Sequence, residues 1–216
     1  MKNAIKNMLK AVAVEKKGMN TTKKFFNDYA PRWDKVNHYD QPPQAFRELV
    51  SMAGVPAGGR VVDLGCGTGV LVGYLHEAVG DHGHIYAVDV AEEMLVALTR
   101  KHHLPNLTVL ATPAWQLEAI SAPIDAVICF SAFPHFSDQP GVLRAVARLL
   151  KPKGRFLVAH FSSRAEINAF HAKLPPPICT HYLPNRRELA DMAQDSGLRI
   201  AFYRNEKGRY TVLLEK

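Results

Sequence analysis

The sequence predicts an α/β fold: a doubly wound, mostly parallel sheet of seven strands that closes with a C-terminal antiparallel hairpin. Three observations predict it. Short β-branched runs alternate with stretches of helical period, the pattern of strands connected by crossover helices. A glycine-rich segment follows the first run directly. The tail, RIAFYRNEKGRYTVLLEK (199–216), reads as two strands joined by a tight Asn-Glu-Lys-Gly turn, an antiparallel pair for one sheet edge.

The elements follow in order. FFNDYAPRWDKVNHYD (25–40) mixes aromatic and polar residues and reads as a short helix and loop. QAFRELVSMAG (44–54) has apolar residues at helical spacing and stops at a glycine, a usual helix end. RVVDLG (60–65) is a buried strand closed by glycine. A helix over 70–79 precedes the strand HIYAVDV (84–90). AEEMLVALTRKHH (91–103) is a helix with acids in its first turn and bases in its last, matching the helix dipole. NLTVLA (106–111) and IDAVICFS (124–131) are strands, PGVLRAVARLLK (140–151) is a helix stopped by Pro152 and Gly154, and GRFLVAHF (154–161) is the fifth strand. Helices over 164–173 and 186–197 complete the set.

Composition narrows the class. With 216 residues, 47% hydrophobic and 22% charged, the chain suits one globular domain. No stretch reaches the roughly 20 apolar residues of a membrane span, and the first residues lack a signal-peptide pattern. Three cysteines without paired spacing fit free thiols in a reducing compartment, so the cytoplasm is expected. The net charge of +7 is uneven: residues 1–24 hold seven lysines against one acid, and the rest is nearly neutral. This predicts a basic arm over 1–24 attached to a single domain over 25–216. Neutrality of the body disfavours nucleic acid as partner, and a monomer or homodimer is expected.

The sharpest motif is Val61-Val62-Asp63-Leu64-Gly65-Cys66-Gly67-Thr68-Gly69. Glycines in such a strand-to-helix turn let backbone approach a ligand at the carboxyl end of the sheet. The spacing is G-x-G-x-G rather than the G-x-G-x-x-G of dinucleotide binding. Asp63 would repel a pyrophosphate and attract an ammonium or sulfonium. Asp89 ends the second strand, 20 residues past Gly69, where an acid can accept both hydrogen bonds of a ribose diol. Capping of the next helix is its plainer use, and both roles are compatible.

VVDLGCGTG, YAVDV followed by AEEML, FSAFPHFSD and VLRAVARLLKPKGRFLVA together resemble the Rossmann-like class I S-adenosylmethionine-dependent methyltransferases. FFNDYAPRWD is similar to the leading segment of the quinone-methylating branch. The resemblance spans roughly residues 25–160. It implies that Asp63 and the backbone of Gly65, Cys66, Gly67 and Gly69 hold the methionine amino group, and that Asp89 holds the ribose. Val90 and Met94 would line the adenine, Phe130 and Ser131 the methionyl moiety, and Trp33 or Tyr29 would cap the cofactor. Where the family often has an acid facing the adenine amino group this chain has Pro113, leaving the Ala114 amide and Trp115.

The implied activity is in-line methyl transfer to a small-molecule acceptor, with a non-catalytic cofactor-binding scaffold as the alternative. Alignment and exclusion of water carry most of such a reaction, and a base helps when the nucleophile is a hydroxyl or acidic carbon. His135 and His160 follow the fourth and fifth strands and are the catalytic candidates. His171 and His181 lie in 162–185, a segment placed to form a lid. His160, His171 and His181 could together bind zinc or iron, but their spacing matches no metal motif, and a metal is not favoured. Phe133, Phe136, Phe161 and Phe170 suggest an apolar or aromatic acceptor, and Arg164, Arg186 and Arg187 could pair with a carboxylate or face solvent. His82, His84, His102 and His103 are expected at the surface, and Cys179 in a loop.

Overall fold

The structure, a computed structural model, describes residues 19–36, 41–120 and 123–216. Most of the expected basic arm therefore lies outside the described residues. Its end does not: residues 19–29 form one helix, α1, across the expected boundary at residue 24. A 3-10 turn (Ala30–Arg32) and the short α2 (Trp33–Val36) follow. Pro31 opens that turn, which explains why 25–40 shows no single helical period.

The remaining helices are α3 (Pro43–Ala53), α4 (Val72–Val79), α5 (Glu92–Lys101), α6 (Gln139–Leu149), α7 (Arg164–His171) and α8 (Arg186–Asp195). The strands are β1 (Arg60–Leu64), β2 (His84–Asp89), β3 (Leu107–Ala111), β4 (Ile124–Phe130), β5 (Leu150–His160), β6 (Arg199–Glu206) and β7 (Arg209–Glu215). They form one sheet in the order β3-β2-β1-β4-β5-β7-β6. β1 to β5 run parallel, and β7 pairs antiparallel with both β5 and β6. The expected doubly wound sheet with its terminal hairpin is present.

Period-two alternation divides the core between two faces. Val62, Leu64, Val127, Cys129, Phe156 and Val158 pack on one side with α6 and α8 residues such as Val146 and Leu189. Val61, Ala126, Ile128, Leu157 and Ala159 pack on the other with Phe46 and Leu49 of α3 and Leu75 of α4. Local signals set the helix ends. Gly54, in the left-handed region at φ 67°, closes α3, and capping boxes open α7 (Ser163 with Glu166) and α8 (Asn185 with Glu188).

Two boundaries differ from the sequence reading. The helix expected over 140–151 ends at Leu149, and β5 begins at Leu150. Leu150 pairs with Ile124, and the ladder resumes only at Arg155 opposite Ala126. The intervening Pro152 has no N–H to give to a ladder, and Lys153 adopts φ 66°. In the hairpin the link is only Lys207-Gly208, between paired Glu206 and Arg209, with Gly208 at φ 74°.

The strand order reverses between β1 and β4. Ligands of open α/β sheets sit in the crevice outside the carboxyl ends of such strands. The ends in question are Leu64, Asp89, Phe130 and His160.

Candidate active site

The glycine loop turns sharply because its neighbours leave no room. Gly65 has φ 74°, and a Cβ there would lie 2.4 Å from the Ala132 Cβ. Gly69 has φ 86°, and a Cβ would meet Leu98 at 2.8 Å. The loop's own amides are largely consumed within the fold. Gly65 and Cys66 both donate to the Val88 carbonyl (2.8 and 3.1 Å), and Gly69 donates to the Cys66 carbonyl (2.9 Å). Gly67 donates to Asp89 Oδ2 (2.9 Å). A phosphate-binding loop presents free N–H groups to its anion. Here the Gly65, Cys66, Gly67 and Gly69 donors are taken, and the buried acid Asp63 precedes them, so the loop suits a cationic ligand better than an anion.

Asp63 lies on β1 at 2% exposure. Its Oδ2 has no hydrogen-bond partner. Burial, followed by repulsion from Asp89, pushes its carboxyl up to about 7. An unpartnered buried carboxylate is costly unless a positive group meets it, and the ammonium of S-adenosylmethionine is such a group. Asp89 is raised by burial, while bonds from the Ala91, Gly67 and Val90 amides oppose the rise. It accepts from Gly67 through one oxygen and from Ala91 through the other, each at 2.9 Å. Carboxylate oxygens carry about two acceptor sites each, so both can still receive a ribose hydroxyl. Asp89→Ala is expected to weaken S-adenosylhomocysteine binding by roughly 1.5–3 kcal/mol, read by calorimetry. It should also lower ligand-free stability by about 1 kcal/mol through loss of the Ala91 contact. Unchanged affinity would show that the ribose lies elsewhere.

A cavity opens over the loop. Gly65, Cys66, Gly67 and Asp89 line its floor. Val90, Met94, Ala114, Phe130 and Ser131 line it as well, with Pro113 and Trp115. Asp63 and Gly69 do not line it: Asp63 lies beneath the loop, and Gly69 packs on Leu98 and His102. Ser131 occupies the left-handed region at φ 56°, a strained turn of the kind that clusters at functional sites. Trp33 caps this cavity from α2 together with Phe26 of α1, whereas Tyr29 lines only the neighbouring space. The cap is tied down at several points: Asp34 accepts from Thr68 (2.6 Å) and Lys101 (2.9 Å), and Lys23 pairs with Glu92.

A second, more open cavity adjoins the first, sharing Phe26, Trp33, Ser131 and His135 with it. Phe25, Tyr29, Phe161 and Phe170 give it aromatic walls, and His160 and His171 also line it. Of the four phenylalanines named from sequence, Phe136 lines the first cavity, and Phe161 and Phe170 the second. Phe133 does neither, being fully buried in the core. Its 3-10 turn (Phe133–His135) directs residues 133 and 136 to different surroundings. Phe25 and Phe26 were not singled out from sequence. Their signal was the FFNDY spacing, which places Phe25 and Tyr29 one helical turn apart, their rings stacked at 4.5 Å.

All four C-terminal histidines converge. His135 Nδ1 lies 2.9 Å from His181 Nδ1, and its ring centroid lies 5.0 Å from that of His171. His171 Nδ1 is 2.9 Å from the His181 carbonyl. Burial, then the other three imidazoles, holds His135 well below the usual histidine range. His160 is pushed down to about 3 and His181 to about 4, burial leading in both. Near neutral pH these rings are uncharged, each with one donor and one acceptor nitrogen. Among the described residues, no group of three or more His, Cys, Asp or Glu side chains is arranged to hold a metal ion. His82 and His103 are exposed as expected. His84 instead contacts Thr108 (2.8 Å), and His102 bonds the Gly69 backbone. Both sit where a helix or strand end brings them against the sheet or loop. Cys66 and Cys129 are buried free thiols, and Cys179 lies in a 3-10 turn.

Sheet order, crevice and loop define a doubly wound α/β protein with a cleft at its strand ends, over a glycine loop and beside two buried acids. Comparison with known proteins agrees. The family described as "Methyltransferase domain" matches residues 56–211. A ubiquinone biosynthesis O-methyltransferase of Xanthomonas axonopodis pv. citri is 31% identical over 193 residues, covering 81% of this chain and 79% of that protein. The ubiquinone/menaquinone biosynthesis C-methyltransferase UbiE of Vibrio campbellii is 30% identical over 154 residues, 69% of this chain and 59% of that protein. A SAM-dependent methyltransferase from Aquifex aeolicus shares the fold, with a TM-score of 0.64 at 24% identity, covering 84% of this chain and 97% of that one. The chain belongs to the methyltransferase-domain family and is an S-adenosylmethionine-dependent methyltransferase.

Proposed function

We propose that the acceptor is an uncharged aromatic hydroxyl compound held in the second cavity, and that His135 takes its proton. The observation that carries this reading is the composition of that cavity. Its described lining is mostly aromatic and aliphatic, with imidazoles, the uncharged polar residues Gln41, Ser131 and Ser162, one acid (Glu166), and no lysine or arginine. Arg164, a sequence candidate for a carboxylate partner, gives its Nε–H to the Leu183 carbonyl (3.0 Å). Arg186 stacks over Tyr203. Among the described residues lining this cavity, an anionic acceptor would find no cation. Arg32 and Arg209 lie behind it, against the Tyr29 and Phe161 rings.

The bound cofactor supplies an electrophilic methyl group. Asp63, Asp89 and the residues lining the first cavity would hold it. The chain's own residues would then orient the acceptor and limit water: Phe26 and Trp33 border both cavities from α1 and α2, and Phe161 and Phe170 line the acceptor space. His135 borders both cavities, which supports it as the group nearest the exchange. Its neutral ring is the form that can accept a proton. Oxygen is favoured over carbon as the methylated atom because a base beside the cofactor serves a hydroxyl directly. The relative at 31% identity is named an O-methyltransferase, which supports the same choice. His171 and Ile178, within 162–185, border the acceptor space, supporting that segment as its cover. The reading places the protein in the cytoplasm as a monomer or homodimer. Among the described residues, no helix is long and apolar enough to cross a membrane.

Release of S-adenosylhomocysteine should be faster with neutral dihydroxybenzenes than with their carboxylated counterparts. The opposite preference would remove the argument from the lining. His135→Asn should lower turnover roughly 10²–10⁴-fold while leaving S-adenosylhomocysteine affinity within a few-fold. Unimpaired turnover in that variant would exclude His135 as the base.

A further inference from the structure

We propose that His181 and Thr22 form a positioning pair that holds His135 in one tautomer, with its proton on Nδ1 and its Nε2 lone pair free for the acceptor. This deepens the reading of His135 as base and rests on it. The geometry is a chain of three side chains from three parts of the fold. Thr22, on α1, is 6% exposed, and its Oγ1 lies 3.3 Å from His181 Nε2. The other nitrogen of His181 lies 2.9 Å from His135 Nδ1. Both nitrogens of His181 are therefore engaged, and on His135 only Nε2 remains for a ligand.

Two proton arrangements satisfy the chain. If the Thr22 hydroxyl donated to His181 Nε2, His181 would carry its proton on Nδ1 and donate it to His135. His135 would then carry its own proton on Nε2 and could not act as a base. In the other arrangement His181 Nε2–H donates to the Thr22 hydroxyl, and His135 Nδ1–H donates to His181 Nδ1. The 3.3 Å separation of Thr22 and His181 admits both; the second is the one proposed, because only it leaves His135 Nε2 able to take the acceptor's proton. A neutral imidazole has one donor and one acceptor, so fixing one nitrogen fixes the other. The acceptor oxygen would bond the methyl group as the methyl–sulfur bond breaks and S-adenosylhomocysteine leaves, and the O–H proton would pass to His135 Nε2. The resulting imidazolium still donates Nδ1–H to His181, and the proton is later lost to solvent. His160 and His171 face the same ring, Phe26 packs on it from α1 with centroids 5.0 Å apart, and the nearest described acid lining the acceptor space is Glu166.

The test is nitrogen-15 NMR of the histidine rings in the full-length protein saturated with S-adenosylhomocysteine, with Thr22→Val and Thr22→Ser beside the native chain. His135 should show the Nδ1–H tautomer in the native and Ser proteins, and a mixed or Nε2–H state in the Val variant. Turnover with a neutral dihydroxybenzene should fall about 10-fold to 100-fold in the Val variant, a fraction of a full base contribution, and return with Ser. Thr22 also lines the cofactor cavity, so turnover is compared at saturating S-adenosylmethionine, where a change in cofactor affinity does not enter. A native Nε2–H tautomer, or a tautomer indifferent to Thr22→Val, would overturn the proposal. Should Thr22→Val unfold the chain, His181→Phe gives the same tautomer readout, with the same two outcomes. Failure of the base reading alone would look different: the tautomer would respond as stated, yet His135→Asn would keep full turnover.

Discussion

Asp63→Asn is expected to weaken S-adenosylhomocysteine binding at pH 8 by about 3 kcal/mol or more, the scale of breaking a buried ion pair. It should also abolish a pH dependence that the native protein shows. In the ligand-free fold the buried Asp63 carboxyl is raised from 3.8 to about 7, burial first and Asp89 second. A ligand ammonium needs the ionised form. Affinity should therefore rise with pH up to about 7 and level off above it, and binding below that point should release up to one proton. The same shift acts on folding with the opposite sense. The folded state retains a proton that the unfolded chain loses near 3.8, so ligand-free stability should fall between pH 4 and 7, by on the order of 4 kcal/mol. Calorimetry from pH 5.5 to 8.5 in buffers of different ionisation enthalpy measures the proton release. A flat native affinity profile would show that Asp63 does not meet the ammonium.

Gly65→Ala should remove cofactor binding altogether and lower thermal stability. The added Cβ would sit 2.4 Å from the Ala132 Cβ, backbone-borne on both sides, at a φ of 74°. The left-handed backbone costs about 1–2 kcal/mol, and the overlap adds roughly 1–3 kcal/mol. Relief requires moving either the loop or the segment after β4, and both border the cofactor cavity. Gly67→Ala is the control. Its φ of 51° carries a similar backbone cost, but the nearest atom to a Cβ there is Trp33 Nε1 at 3.9 Å. Equal losses in the two variants, by calorimetry with S-adenosylhomocysteine, would show that backbone strain rather than overlap governs the loop.

The sheet and the glycine loop over its strand ends were legible because their signals are local. Strand, glycine loop and following helix are contiguous, and Asp89 reaches the loop from the next strand in a fixed register, Leu64 lying opposite Val88. What the loop amides do was not legible, since Val88 and Asp89 accept from them across the sheet. The histidines show the same division. Strand ends placed His135 and His160 on the correct side, but the 2.9 Å contact of His135 with His181 joins residues 46 apart through a loop path that no periodicity encodes. Thr22 was hidden further: it stood inside a stretch read as a charged arm, although its side chain is buried against His181. Phe133 and Phe136 looked equivalent in sequence, and a single 3-10 turn sends one to the core and the other to the cavity.

The most direct test of the account is transfer of a carbon-13 methyl group from labelled S-adenosylmethionine in the presence of a neutral dihydroxybenzene. Label should appear on an aromatic oxygen, formed together with S-adenosylhomocysteine and lost in His135→Asn. Label on a ring carbon, or cofactor binding with no transfer to any neutral hydroxyl acceptor, would contradict it.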